Sequence, residues 1–189
     1  MMKDIIKPGL VLLVITMVAG LGLSVVYAVT REPVAQRMAE SVELALGRIF
    51  PEGGSPLEVP GFEPGDEIFS LEGVQRDGQL VGYAVGSRYM GFGGVIYLLV
   101  GIDLDGAVTG IDVLRHSETP GFGGNLTQPH FIEQFPGKYG HLFFIPAGSD
   151  VEYTASDEIV ALTSATNTTR AVIQAVNNAL AYFVENLAD

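Results

Sequence analysis

From residue 8 to residue 30 the chain carries no charged side chain, and residues 9–29 are rich in Leu, Val and Ile. About 20 apolar residues in succession span a bilayer core as a helix, so residues 9–29 read as a transmembrane segment. Lys3 and Lys7 precede it, which favours a cytoplasmic N-terminus over residues 1–8; Arg31 and Arg37 follow, so the asymmetry is modest. A cleaved signal peptide is the competing reading. Val26, Tyr27 and Ala28 could pass as a cleavage site, but the apolar run is longer than a usual signal core. Either way the rest of the chain crosses the membrane. Gly20, Ser24 and Ala28 form a stripe of small residues where another helix could approach, although such residues are simply common in membrane helices.

The length, 189 residues, suits an anchor and one domain. The formal charge of −12 and a pI of about 4.5 argue against nucleic acid as a partner, because phosphates need basic patches. They also disfavour a domain that clings to anionic lipid. The absence of cysteine excludes disulfides, thiolate zinc sites, iron–sulfur clusters and thiol-linked haem. His116, His130 and His141 have no metal-ligand spacing, so no metal site is expected. There is no Gly-x-Ser-x-Gly elbow and no nucleophile paired with a base, so no catalytic residue is assigned. Asn125-Leu126-Thr127 and Asn167-Thr168-Thr169 match a glycan acceptor pattern that often arises by chance.

After the apolar span, Pro33 suits a helix start. Val34, Met38, Val42, Leu46 and Ile49 mark one apolar face, and Pro51 ends the helix. Residues 51–65 are rich in Pro, Gly and Glu without periodicity and read as a surface connector. Residues 30–65 are therefore a helix and connector. Four β-like runs follow at 68–75, 80–87, 95–103 and 108–114. Asp77-Gly78 and Asp105-Gly106 are hairpin signals, since both residue types tolerate positive φ. At the end, Val172, Ala175, Val176, Ala179, Leu180, Phe183 and Leu187 recur at spacings of three and four, one face of a helix. An antiparallel meander between two helices makes residues 66–189 an α+β domain.

Three stretches stand out from this frame. Gly91-Phe92-Gly93-Gly94 opens the apolar third run and allows a close backbone approach to something flat or bulky. Residues 116–124, His-Ser-Glu-Thr-Pro-Gly-Phe-Gly-Gly, hold a Thr-Pro-Gly turn but lack the ending of a phosphate loop. Leu162-Thr163-Ser164-Ala165-Thr166-Asn167-Thr168-Thr169 is dense in hydroxyls, carries no charge and runs into the last helix. Two readings are open for it. Ser and Thr before a helix usually cap free N–H groups. Alternatively, those N–H groups and the helix dipole make an anion site.

In this order, with the anchor before them, Gly-Phe-Gly-Gly-Val-Ile at 91–96, Val100-Gly101-Ile102-Asp103 with Asp105-Gly106, Glu118-Thr119-Pro120-Gly121-Phe122-Gly123 and Thr163-Ser164-Ala165-Thr166 resemble the membrane-anchored FMN-binding proteins. The resemblance spans almost the whole chain. It is strongest to the G-subunit family of Rnf ion-translocating electron-transport complexes; the C subunits of sodium-translocating NADH:quinone reductases are a sister family. The resemblance implies an FMN-binding domain over 66–189 and an electron-carrying subunit with FMN joined to Thr166 by a phosphoester bond. The family motif is Ser/Thr-Gly-Ala-Thr, and its last Thr falls on Thr166. Ser164 stands where the family has Gly. Val160 stands where an Asp is usual, with Asp157 nearby.

The resemblance further implies a magnesium-dependent flavin transferase that installs FMN from FAD, other membrane subunits as partners, and a flavin domain on the extracytoplasmic (periplasmic) side of the cytoplasmic membrane. It would bring the 118–122 loop, with Glu118, Thr119, Gly121 and Phe122, and the glycine turn at 91–94, with Gly93 and Gly94, against the flavin ring. Leu162, Thr163, Ser164, Ala165, Asn167, Thr168 and Thr169 would surround the attachment point. Ser164, Thr168 and Thr169 are expected to donate to the phosphate, and Thr163 to cap or support the turn. Two other functions remain: a flavin-free assembly subunit, and a membrane-anchored flavin sensor.

Overall fold

In this computed structural model the backbone is described for residues 2–149 and 155–188, and side chains for these residues except 2–7, 30–40 and 43. The chain divides into two compact units, Met1–Ser41 and Val42–Asp189. Helix α1 covers Met2–Ile49. Within it Pro8–Val29 has a mean hydropathy of 2.5, with no buried part, and is long and apolar enough to cross a membrane. Pro33, expected to start a helix, lies inside α1 instead. Residues 30–32 hold no Gly or Pro to stop the preceding turns, and a proline removes a single backbone donor. Lys3, Lys7, Arg31 and Arg37, and Val34 and Met38 of the expected apolar face, lie outside the described side chains.

The second unit is built on a five-stranded antiparallel sheet in the order β1-β2-β3-β4-β5. Its strands are β1 (Ser55–Glu58), β2 (Ile68–Arg76), β3 (Gln79–Met90), β4 (Val95–Asp103) and β5 (Val108–Arg115). Four of these are the expected meander. Asp77 and Gly78 both take positive φ in the β2–β3 turn, and Gly106 does so after β4. The period of two sorts the apolar residues between two cores. Val85, Leu98, Val100 and Ile102 face one side, and Ala84 and Leu99 the other.

On that other side Ala45, Leu46 and Ile49, from the end of α1, pack with Phe50 and Val74. Gly101 and Gly110 are cross-strand partners, and a Cβ at Gly110 would touch the Ile49 backbone at 3.0 Å. The pair lets the last turn of α1 lie close on the sheet. The opposite face is covered by the C-terminal helix α3 (Thr166–Asn186), whose Val172, Ala175, Val176, Ala179, Leu180 and Phe183 are all buried.

Several elements were not expected. β1 lies in what reads as connector, and every one of its residues is exposed. It is held by register with β2, Ser55 opposite Gln75 and Glu58 opposite Glu72. A 3-10 helix (Gly123–Thr127) and the short α2 (Pro129–Ile132) follow the Thr-Pro-Gly turn. Phe131 and Phe135, both fully buried, anchor this segment edge to face. A parallel pair, β6 (Phe143–Ile145) and β7 (Glu158–Val160), then leads into α3. The Asn177 side chain of α3 accepts from Leu142 N–H and donates to its carbonyl, fixing the start of β6.

Glu72 supplies a pH test of this packing. Burial raises its carboxyl above the usual value. A folded pKa above the unfolded one makes the fold lose stability as pH rises through that interval. Glu72→Gln is therefore expected to raise Tm at pH 7, and the gain is expected to vanish below about pH 4, where both states are protonated. Parallel melting curves at the two pH values check it.

Candidate functional site

The hydroxyl-rich stretch folds as a tight turn that opens α3. Ala165 N–H donates to the Leu162 carbonyl at 3.2 Å, so Thr163 and Ser164 are the turn's two central residues. Ser164 has φ +61°. A positive φ at that place is what a type II turn requires and what glycine adopts without strain. The resemblance read from the sequence puts the family's glycine at this position. A left-handed serine costs about 1–2 kcal/mol, partly offset by the greater freedom that glycine gives the unfolded chain. Ser164→Gly is expected to stabilise the domain by about 0.5–1 kcal/mol, read as a higher Tm.

The residue before α3 is Ala165, and no side chain caps the helix. The capping role expected of Thr163 is therefore absent. Thr169 does related work from within the first turns. Its hydroxyl donates to the Ala165 carbonyl (3.1 Å) and accepts from Leu162 N–H (3.0 Å). The first helical bond runs from Thr169 N–H to the Ala165 carbonyl. The N–H groups of Thr166, Asn167 and Thr168 precede that bond and have no acceptor within the helix. They point the positive end of the α3 dipole at whatever lies before it.

Before it lies a cavity of about 480 Å³, lined by Phe92, Glu118, Thr119, Phe122, Gly123, Ser164, Ala165, Thr166, Asn167 and Thr168. The size is that of an ordinary small-molecule site. Eight of the expected residues meet here, drawn from two loops and a helix N-terminus. Two further lining residues, Phe92 and Gly123, lie inside the glycine-rich stretches 91–94 and 116–124. The signal for Phe92 in the sequence is an aromatic set between glycines in the 91–94 turn, and in the structure its ring is exposed. Gly93, Gly94, Gly121, Leu162, Thr163 and Thr169 are not among the lining residues. Leu162 and Thr169 are buried behind the turn. Gly121 has φ +80°, as its turn demands, and faces open space.

Glu118 joins the walls of this cavity. It is 5% exposed. Gly93 N–H donates to Oε1 at 2.8 Å, and the Thr168 hydroxyl donates to Oε2 at 2.5 Å. Its own N–H donates to His116 Nδ1 at 3.2 Å. Glycine at 91 and 123 makes room for the carboxyl group: a Cβ at either would press on one of its oxygens. Gly93 and Gly94 thus pack on Ser117 and Glu118, and Phe92 is the residue of this turn that faces the cavity.

The four threonines of the motif now differ. Thr168 and Thr169 are buried and their hydroxyls are already donated, so neither is free for a phosphate as expected. Thr163 is exposed but off the cavity. Thr166 is both exposed and on the cavity wall. The lining holds no Lys or Arg. An anion there would rely on backbone N–H groups and the helix dipole. Val160, where the resemblance leads one to expect Asp, is 8% exposed in β7, its N–H held by Gln134 Oε1 at 2.7 Å.

Residues 91–181 match the FMN-binding domain family. The chain is 31% identical over 185 residues to the G subunit of the ion-translocating oxidoreductase complex of Methanosarcina acetivorans, covering 95% of each chain. The chain belongs to this G-subunit family. Against the G subunit of the Na(+)-translocating ferredoxin:NAD(+) oxidoreductase complex of Acetobacterium woodii, identity is 29% over 199 residues, covering 98% of this chain and 94% of the other. The crystal structure of Shewanella oneidensis NqrC superposes with a TM-score of 0.56 at 20% identity, covering 81% of this chain and 93% of that one. That likeness shows a shared fold. In this member of the G-subunit family, the cavity and α3 up to residue 181 fall inside the matched FMN-binding segment.

Proposed function

We propose that this chain is an electron-carrying subunit of a membrane-bound, ion-translocating oxidoreductase complex, with FMN attached through a phosphoester bond to Thr166. The observation that carries the reading is the placement of Thr166. Of the motif's four threonines it alone is both exposed and on the cavity wall, one residue after the turn and beside three N–H groups that have no acceptor within the helix. A phosphodiester on its oxygen meets the positive end of α3 without any lysine or arginine. Phe92 and Phe122 offer apolar surface for a flat ring, and Glu118, Thr119 and Asn167 offer polar groups that fix its orientation. Once bound, FMN supplies reversible electron transfer.

A threonine hydroxyl is a weak nucleophile without a base, and the carboxylate in the cavity is already engaged by Thr168. The attachment therefore falls to a flavin transferase. The Thr166 oxygen attacks the FMN phosphorus of FAD, the pyrophosphate bond breaks, AMP leaves, and the hydroxyl proton passes to a base of the transferase. Residues 8–29 hold the chain in the membrane, and Lys3 and Lys7 before them favour a cytoplasmic N-terminus, which puts the flavin domain on the extracytoplasmic side, where the transferase acts. The other subunits of the complex are its partners, as the names of its relatives indicate for those proteins.

Two measurements test this. Protein coexpressed with a flavin transferase is expected to run as a fluorescent band in a denaturing gel. A reporter fused after Asp189 is expected to be active only outside the cytoplasm. A colourless protein in the presence of active transferase supports the flavin-free assembly role instead. A reporter active only in the cytoplasm overturns the topology.

A further inference from the structure

We propose that Glu118 sets the reduction potential of the flavin site by holding a buried negative charge against it. The inference rests on the flavin reading above and goes beyond it. Glu118 lines the cavity, is almost wholly buried, and accepts at both oxygens, the pattern of an ionised carboxylate. Both donors are neutral, one an amide and one a hydroxyl. Among the described residues no ion pair includes it. The cavity lining contributes no cation to offset it. A buried charge without a counter-charge acts over several ångströms through a weakly screening medium. The fold maintains it at a cost: glycines at 91 and 123 are shaped around its oxygens, and a third at 93 donates to it.

The consequence follows from charge balance. Two electrons from dithionite, which is oxidised to sulfite, and one proton from solvent leave the reduced ring with one net negative charge. A carboxylate in the wall disfavours that charge and lowers the potential. The N–H groups at the start of α3 act in the opposite sense, but in the proposed attachment they face the phosphate and not the ring.

Glu118→Gln separates charge from architecture. The amide oxygen still accepts from Gly93 N–H, and the amide N–H donates to the Thr168 oxygen, which can accept as well as donate. Thr168→Val does the reverse: it keeps the carboxylate and strips a donor that spreads its charge. The test is a dithionite titration at pH 8 of protein that retains its flavin in a denaturing gel, with a melting curve for each variant. Glu118→Gln is expected to move the potential upward, raising the reduced-to-oxidised ratio at a fixed potential about tenfold. Thr168→Val is expected to move it downward. An unchanged potential in Glu118→Gln, or a shift of both variants in one direction, overturns the proposal and leaves Glu118 a purely structural pin. If Glu118→Gln does not fold, a Thr168→Val potential that is unchanged or higher overturns it alone. Wild-type protein without flavin overturns the reading beneath it, and this proposal with it.

Discussion

Thr166→Val, coexpressed with a flavin transferase, is expected to lose in-gel fluorescence completely while the domain stays folded. Valine keeps the branched shape of threonine at the first position of α3 and removes only the hydroxyl. Among the described residues Thr166 has no side-chain hydrogen bond for the substitution to break, and it is exposed, so stability should stay within about 0.5 kcal/mol of the parent. Thr166→Ser keeps the nucleophile and is expected to retain part of the modification. Thr163→Val is expected to leave the flavin in place, since Thr163 lies in the turn off the cavity. Loss of flavin in Thr163→Val with retention in Thr166→Val would invert the assignment.

Gly93→Ala is expected to have the second largest effect. An added methyl would overlap the Ser117 carbonyl oxygen and lie 2.9 Å from the Ser117 carbonyl carbon. These are backbone atoms, with no flexible end to swing aside. The 91–94 turn must move away from the 117–118 segment, and the Gly93 N–H bond to Glu118 goes with it. Overpacking of this kind costs about 1–3 kcal/mol, and the lost bond to a charged acceptor adds to it. The melting temperature should fall, and the flavin spectrum should change as Phe92 is carried off the cavity wall. Gly121→Val is the control. It imposes strain at φ +80° but meets no atom within 4 Å, so its cost is that of the backbone alone, about 1–2 kcal/mol. A Gly93→Ala protein as stable as the parent would show that the close approach of the two loops is dispensable.

The contrast between those two glycines also shows what could be read in the sequence. Gly121 was legible because Thr-Pro-Gly is a local turn signal, and its φ is +80°. The need for glycine at 93 was not, because its cause is Ser117 and Glu118, 24 and 25 positions away. The same holds across the fold. Strands β2 to β5 and the buried face of α3 follow from periodicity, and the Asp-Gly turns mark the hairpins. β1 was missed because all four of its residues are exposed, so no alternation exists to be seen. β6 and β7 hold three residues each, too few for any period. The hydroxyl-rich stretch was legible as a helix start, yet the assignment of caps failed. Thr169 turns its oxygen back to bind Leu162 and Ala165 from inside the helix. Thr168 is taken by Glu118, 50 positions earlier. Pairings at that distance leave no local trace. They are also what separates Thr166 from its neighbours.

Peptide mass spectrometry of the full chain, purified from cells that carry a flavin transferase, tests attachment at Thr166 most directly. After proteolysis, fragmentation of the peptide that contains residues 163–169 is expected to place one FMN phosphoryl adduct on Thr166. An adduct on Thr163 or Thr168, or an unmodified peptide in the presence of active transferase, would contradict it.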